Sequence, residues 1–260
     1  IEFIDLHGEI FICLSTIIEE FPSYTESIFQ NLVPVAIESL SQNQSNQQSL
    51  FYFFDTLITP KTVQYYQEII PVLLPYLLSI MDSEVETFKS DVSGLIENFF
   101  CIYEGDIIQL IQSQQNKSNL AFLLASCVMA KTKKGEVNND FIQAMINSEN
   151  SRERFMAIRC VKKLTKSDKF NEKLITESVK HCDDEIVEIK VIAIDLVGEL
   201  TKYEEFPIEE FFTVVLNSYM FGNRDLNDAS YSTLTKIIKN SSSDRLCLLV
   251  PLILSQFEEC

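Results

Sequence analysis

Apolar residues recur every three or four positions along most of this chain, and polar, glycine or proline residues interrupt them at short intervals. Side chains spaced i, i+3, i+4 and i+7 share one face of a helix. Ile4, Phe11, Leu14, Ile17 and Ile18 predict a first helix over residues 1–21, stopped at Pro22. Ile28, Leu32, Val35, Ile37 and Leu40 predict a second over 24–41, followed by a polar loop from Ser41 to Gln48. A short aromatic helix over 49–59 ends at Pro60, and its Phe51, Phe53 and Phe54 read as core rather than as a ligand box. Residues 65–81 continue the helical pattern through Pro71 and Pro75, either of which restarts or kinks the helix. Asp82, Ser83 and Glu84 cap the next helix, which sends Val85, Phe88, Val92, Leu95, Ile96, Phe99 and Phe100 to the core and breaks at Gly105.

Beyond Gly105 the period tightens. Short helices at 106–114, 139–146 and 171–181 alternate with longer ones at 118–131, 151–166 and 185–202; a pair at 207–221 and 225–239 and a last helix at 243–258 follow. The helix at 185–202 organises the series. Its Ala193 stands 36 residues from Ala157 and from Ala229, and Ala157 stands the same distance from Ala121. Small residues recurring at one spacing inside successive helices mark a stacked helical repeat, because each lets a neighbouring helix approach closely. Gly198 supplies a second point of close approach. At the same offset Arg154-x-x-Ala157-x-x-x-Val161-x-x-Leu164 falls over Lys190-x-x-Ala193-x-x-x-Val197-x-x-Leu200, and Ala121-x-x-x-Ala125-x-x-Val128 is in register with both. The outward stripe Glu188, Asp195 and Glu199 then lies over Arg152, Arg159 and Lys163. Opposite charges at matching sites predict a ladder: Arg152 with Glu188, Arg159 with Asp195, Lys163 with Glu199. Exposed pairs are worth about 0–1 kcal/mol each, so such a ladder adjusts register rather than holding the fold.

Composition narrows the function more than the fold. Of 260 residues 46% are hydrophobic, enough for a continuous core, while 6 Gly and 7 Pro suit helices joined by short loops. The formal net charge of -17 repels nucleic acid and anionic membrane and attracts basic protein surfaces. The one basic loop, from Lys131 to Lys134, reads as a solvated helix end. No apolar run reaches the roughly 18–20 residues of a membrane span. Ile1 already opens an apolar helical pattern, so the chain is expected to be a piece of something longer. The seven cysteines, Cys13, Cys101, Cys127, Cys160, Cys182, Cys247 and Cys260, lack CxxC spacing and mostly fall in apolar patterns, which predicts buried, reduced thiols. His181-Cys182-Asp183 has metal-ligating side chains but no second cluster to complete a site, and neither metal nor cofactor is expected. With His7 and His181 the only histidines, no G-x-S-x-G motif and no phosphate-cradling glycine loop, no catalytic residues and no enzymatic activity are expected either.

The pattern Asp184 followed by Ile189-Lys190-x-x-Ala193-x-x-x-Val197-Gly198-x-Leu200 resembles the second helix of a HEAT repeat, and the proline-bearing run Ile70-Pro71-Val72-Leu73-Leu74-Pro75-Tyr76-Leu77-Leu78-Ser79-Ile80-Met81-Asp82 resembles a first helix. Glu153-Arg154 departs from the apolar-basic pair of that motif, and Thr233 stands where an aliphatic belongs. The resemblance implies an all-α fold, an α-solenoid of about seven stacked antiparallel helix pairs forming a single domain over 1–260. Protein binding is the function that such surfaces imply. Together with the acidity and with Phe21-Pro22-Ser23-Tyr24 leading into Leu32-Val33-Pro34, the HEAT units look like a segment of an importin-β-like nuclear transport receptor. The reduced thiols suit a cytoplasmic and/or nuclear protein, and the likeness implies partners that include basic cargo, Ran and the Phe-Gly repeats of nucleoporins. The alternative it leaves is a static scaffold resembling a phosphatase scaffold subunit, a cullin-exchange factor or a coat adaptor. Acids outside the ladder are the candidate protein-binding residues: Asp183, Asp184 and Glu185 in one turn, Glu84 and Glu86 in another, and Glu209 and Glu210, with Glu204 and Glu205, around a third. Helix capping competes for the same residues.

Overall fold

The computed structural model describes residues 6–42, 47–59, 62–82, 89–114, 118–132, 136–166 and 171–258. Among these every regular element is helical: fourteen α-helices and two short 3-10 turns. The chain clusters into two compact units, Ile1–Val128 and Met129–Cys260.

The first unit holds α1 (Leu6–Glu20), a 3-10 turn at Pro22–Tyr24, α2 (Thr25–Gln42), α3 (Gln47–Thr56), α4 (Val63–Asp82), α5 (Lys89–Ile102) and α6 (Ile107–Gln112). Here α3 packs on both α1 and α5, while α4 packs on α2 and α5. Phe51, Phe53 and Phe54 are buried as core, as the sequence predicts, and the Tyr66 hydroxyl donates to the Phe54 carbonyl at 2.6 Å. The α4 helix runs unbroken through Pro71 and Pro75. The inward face of α2 departs from expectation: Phe29, Val33, Ala36 and Leu40 are buried, whereas Val35 is exposed. Phe29 decides the rotation, since its ring lies 5.5 Å from that of Tyr65 and 5.0 Å from that of Tyr66 on α4. On α5, Val92, Leu95, Ile96, Phe99 and Phe100 are all buried. The predicted cap at Ser83 and Glu84, with Val85 and Phe88, lies outside the described residues. The boundary between the units falls within α7 (Asn119–Thr132), whose Ala121, Leu123, Leu124, Ala125 and Ala130 are wholly buried.

The second unit holds α8 (Asn139–Ile146), α9 (Ser151–Lys166), α10 (Glu172–Val179), a 3-10 turn at Lys180–Asp183, α11 (Val187–Leu200), α12 (Ile208–Phe221), α13 (Arg224–Asn240) and α14 (Ser243–Glu258). Asn138 and Asn171 start α8 and α10 by accepting from the amides of Phe141 and Leu174, at 3.0 and 3.1 Å; Asn223 does the same for α13, taking the Leu226 amide at 3.0 Å. Consecutive helices pair, α8 with α9, α10 with α11 and α12 with α13, and α11 packs against both α9 and α13. Ala157 and Ala193 are fully buried on these helices and Ala229 nearly so. Gly198 marks the closest approach: a Cβ built there would lie 2.8 Å from Thr233 Oγ1. Thr233, the departure from the aliphatic pattern, is itself fully buried and donates to the Ile194 carbonyl at 3.0 Å. Its hydroxyl therefore bonds α13 to α11, where an aliphatic would only have packed.

Two of the three acids of the predicted charge ladder are paired across helices, each with a lysine three residues beyond the predicted partner. Asp195 pairs with Lys162 at 2.8 Å rather than with Arg159, and Glu199 with Lys166 at 3.4 Å rather than with Lys163. Helical side chains lean toward the N-terminus of their own helix. An ammonium on Lys162 or Lys166 therefore comes level with positions 159 or 163, the sites aligned with Asp195 and Glu199. Glu199 also holds Lys236 of α13 at 2.9 Å, so one carboxylate joins α9, α11 and α13. Glu188 is exposed and takes no ion pair among the described residues; the Arg159 guanidinium lies 3.8 Å from Met156 Sδ.

Candidate functional site

Of the predicted acids, those in the turn between α10 and α11 divide sharply in role. Asp184 is turned inward, its side chain 9% exposed; it accepts from the Ile186 amide at 3.0 Å, meets His181 Nδ1 at 2.8 Å and lies 3.5 Å from Arg154 Nε on α9. Burial pushes this carboxyl up, but the Ile186 amide, the His181 ring and the Arg154 guanidinium outweigh it and hold it below its ordinary value. These contacts make Asp184 the clasp of the turn. Asp183 is 89% exposed with Lys190 Nζ 3.6 Å away, and Glu185 is exposed. Glu84 and Glu86 lie outside the described residues.

His181, Cys182 and Asp183 point apart. The ring faces Asp184, Cys182 is buried with its thiol pushed up to about 12 by that burial and by Asp183, and the Asp183 carboxylate faces solvent. Among the described residues no three histidine, cysteine or carboxylate side chains converge to hold a metal, and no helix is long and apolar enough to cross a membrane. Cys127, Cys160 and Cys182 are buried as expected. Cys13 and Cys247 are exposed, because both fall on outward faces of their helices.

The third acidic group borders a groove of about 620 Å³ between α10 and the beginning of α12. The chain leaves α11 at Leu200 and passes through tight turns in which the Tyr203 amide donates to the Leu200 carbonyl and the Phe206 amide to that of Tyr203. Pro207 then opens α12. Ile175, Val179 and Phe206 are buried at the base, and the Phe206 ring stacks on that of Phe211 at 5.4 Å and 9° between planes. Glu172, Glu204, Glu205 and Glu210 stand exposed at the edge. Lys202, the one lysine of the lining among the described residues, reaches away to the Thr165 carbonyl at 3.3 Å and lies 4.9 Å from the Tyr203 ring centre. Glu209, by contrast, is taken: Arg245 of α14 bonds it at 3.2 Å and also donates to the Phe206 carbonyl.

No family model, curated protein or solved structure matches this chain.

A second groove, about 590 Å³, lies in the first unit against Ile12, Tyr52 and Leu95. Its carboxylate, Asp55, already accepts from Asn98 at 2.7 Å. Glu204, Glu205 and Glu210 stand out in the sequence as a local acidic cluster, but Glu172 on α10 and the apolar floor do not, because Phe206 and Phe211 belong to a loop and a helix start whose folding together no periodicity reports.

Proposed function

We propose that this chain is part of a HEAT-type α-solenoid that binds other proteins and, within that class, part of a nuclear transport receptor whose cargo presents basic surfaces. One observation carries the solenoid reading: bonds between helices join residues about one repeat apart. Lys162 to Asp195 spans 33 residues, Lys236 to Glu199 spans 37, Thr233 to the Ile194 carbonyl 39, and Arg245 to Glu209 36. In the first unit Tyr52 to Glu19 spans 33 residues and Gln67 to the Ile102 carbonyl 35. A stack of similar units produces such a series, since each unit touches chiefly the next. The net charge of -17 and the acidic groove support basic partners.

The triple node at Glu199 favours a second reading, a static assembly scaffold, because clamping successive helices together limits flexing of the stack. Passing Ran loaded with GTP and a peptide bearing a basic import signal over the immobilised chain separates the two. Retention of both is the expected result for a receptor. A basic peptide retained without Ran points to the scaffold, and retention of neither removes the transport reading.

A further inference from the structure

Charge and shape at the α10/α12 groove specify a class of occupant more narrowly than protein binding in general. We propose that it receives an extended segment of a partner protein in which lysines or arginines flank an apolar side chain; this rests on the protein-binding reading above. The floor formed by Ile175, Val179 and the stacked rings of Phe206 and Phe211 offers a place for an aliphatic or aromatic side chain. At the edge, Glu204, Glu205 and Glu210 carry no ion pair among the described residues, and Lys202 is drawn off to the Thr165 carbonyl. With Glu172, exposed on α10 and likewise without an ion pair among the described residues, four unneutralised carboxylates surround an apolar base; they favour a cationic, amphipathic segment and repel an acidic one.

The chain supplies its own precedent next to the groove. Arg245, only 14% exposed, is received by the Glu209 carboxylate and the Phe206 carbonyl, so this end of α12 already accommodates a guanidinium. The first-unit groove has comparable volume, but among the described residues it is lined by a single carboxylate, Asp55, one oxygen of which already accepts from Asn98; its lower density of negative charge makes it an internal contrast.

The test is fluorescence anisotropy on the whole chain with a labelled peptide that repeats the block Lys-Lys-Leu-Ser. Glu204→Lys/Glu205→Lys/Glu210→Lys, three exposed positions, should weaken binding about tenfold or more with the far-ultraviolet dichroism unchanged. Replacing each leucine of the peptide by serine should cost about tenfold at constant charge. Equal binding of the serine and leucine peptides would overturn the groove assignment in favour of diffuse attraction. Affinity that survives the groove variant but falls when Asp183, Glu185 and Glu188 are reversed would move the basic surface to the α10–α11 turn, overturning the groove and leaving the protein-binding reading intact. Failure of wild-type protein to bind the basic peptide at all would overturn both.

Discussion

Asp184 is an acidic residue whose side chain is turned inward and already engaged within the fold, unlike Asp183 and Glu185 beside it. Its carboxylate holds the Ile186 amide, His181 and Arg154 at once, and removing its charge leaves an imidazole and a guanidinium facing a neutral group. Asp184→Asn should lower stability by about 1–3 kcal/mol, measured by urea unfolding at neutral pH. The pH dependence follows from the sign of the shift. Asp184 and Glu199 are both held below their ordinary values, Glu199 because Lys236 and Lys166 outweigh the effect of burial. Stability from each is fully present above the unfolded-state values of about 3.9 and 4.3, and is lost as pH falls through the lower folded values. Asp184→Asn/Glu199→Gln should therefore flatten the acid limb of a stability-versus-pH profile below about pH 5, with little change in slope above it. An unchanged acid limb would show that these clasps do not contribute. The sequence marks Asp183, Asp184 and Glu185 alike, since adjacent acids look equivalent until the chain turns. Which one faces inward depends on Arg154, thirty residues away on another helix.

Gly198 and Thr233 show how two helices settle their separation. Alanine normally favours a helix over glycine by about 1 kcal/mol, but at Gly198 its Cβ would press on the Thr233 hydroxyl that bonds the Ile194 carbonyl. Crowding of a packed interface costs about 1–3 kcal/mol, so Gly198→Ala should be net destabilising. Thr233→Ala removes the obstructing hydroxyl together with its bond, and the double variant Gly198→Ala/Thr233→Ala should lose less than the sum of the single losses. Denaturant titration of all four proteins measures that coupling, and strict additivity would mean that α11 and α13 do not touch through this pair. Helix existence is legible in the sequence because amphipathic spacing survives translation into structure with little help from context, and Ala157, Ala193 and Ala229 are buried as close-contact positions should be. Two features are less legible. The ladder is displaced by one turn because lysine side chains lean along their helix, which an alignment of Cα positions omits. The face of α2 is rotated because Phe29 lodges against Tyr65 and Tyr66, and no count of aliphatics on α2 foretells aromatic partners on α4.

For the whole chain, two electrostatic effects respond to salt in opposite directions. Cross-helix pairs such as Lys162 with Asp195 weaken as ions screen them, and being partly exposed they contribute about 0–1 kcal/mol each. The excess of 38 acidic over 21 basic residues produces a repulsion spread over the molecule, and screening relieves it. At low ionic strength the Debye length is about 30 Å in 0.01 M salt, so like charges on different helices act together; at 0.15 M it is about 8 Å and only near neighbours count. A net charge of -17 makes the distributed repulsion the larger effect. Sodium chloride over this range should therefore raise the melting temperature, read by circular dichroism at fixed pH. The same screening should weaken capture of a basic peptide, because the field that strains the free chain also gathers cationic segments toward it. Opposite salt slopes for stability and for binding distinguish a functional surplus of acid from charge that is locally neutralised in ladders: a melting temperature that falls with salt would assign the carboxylates chiefly to internal pairs, and the long-range attraction invoked for basic partners would lose its source.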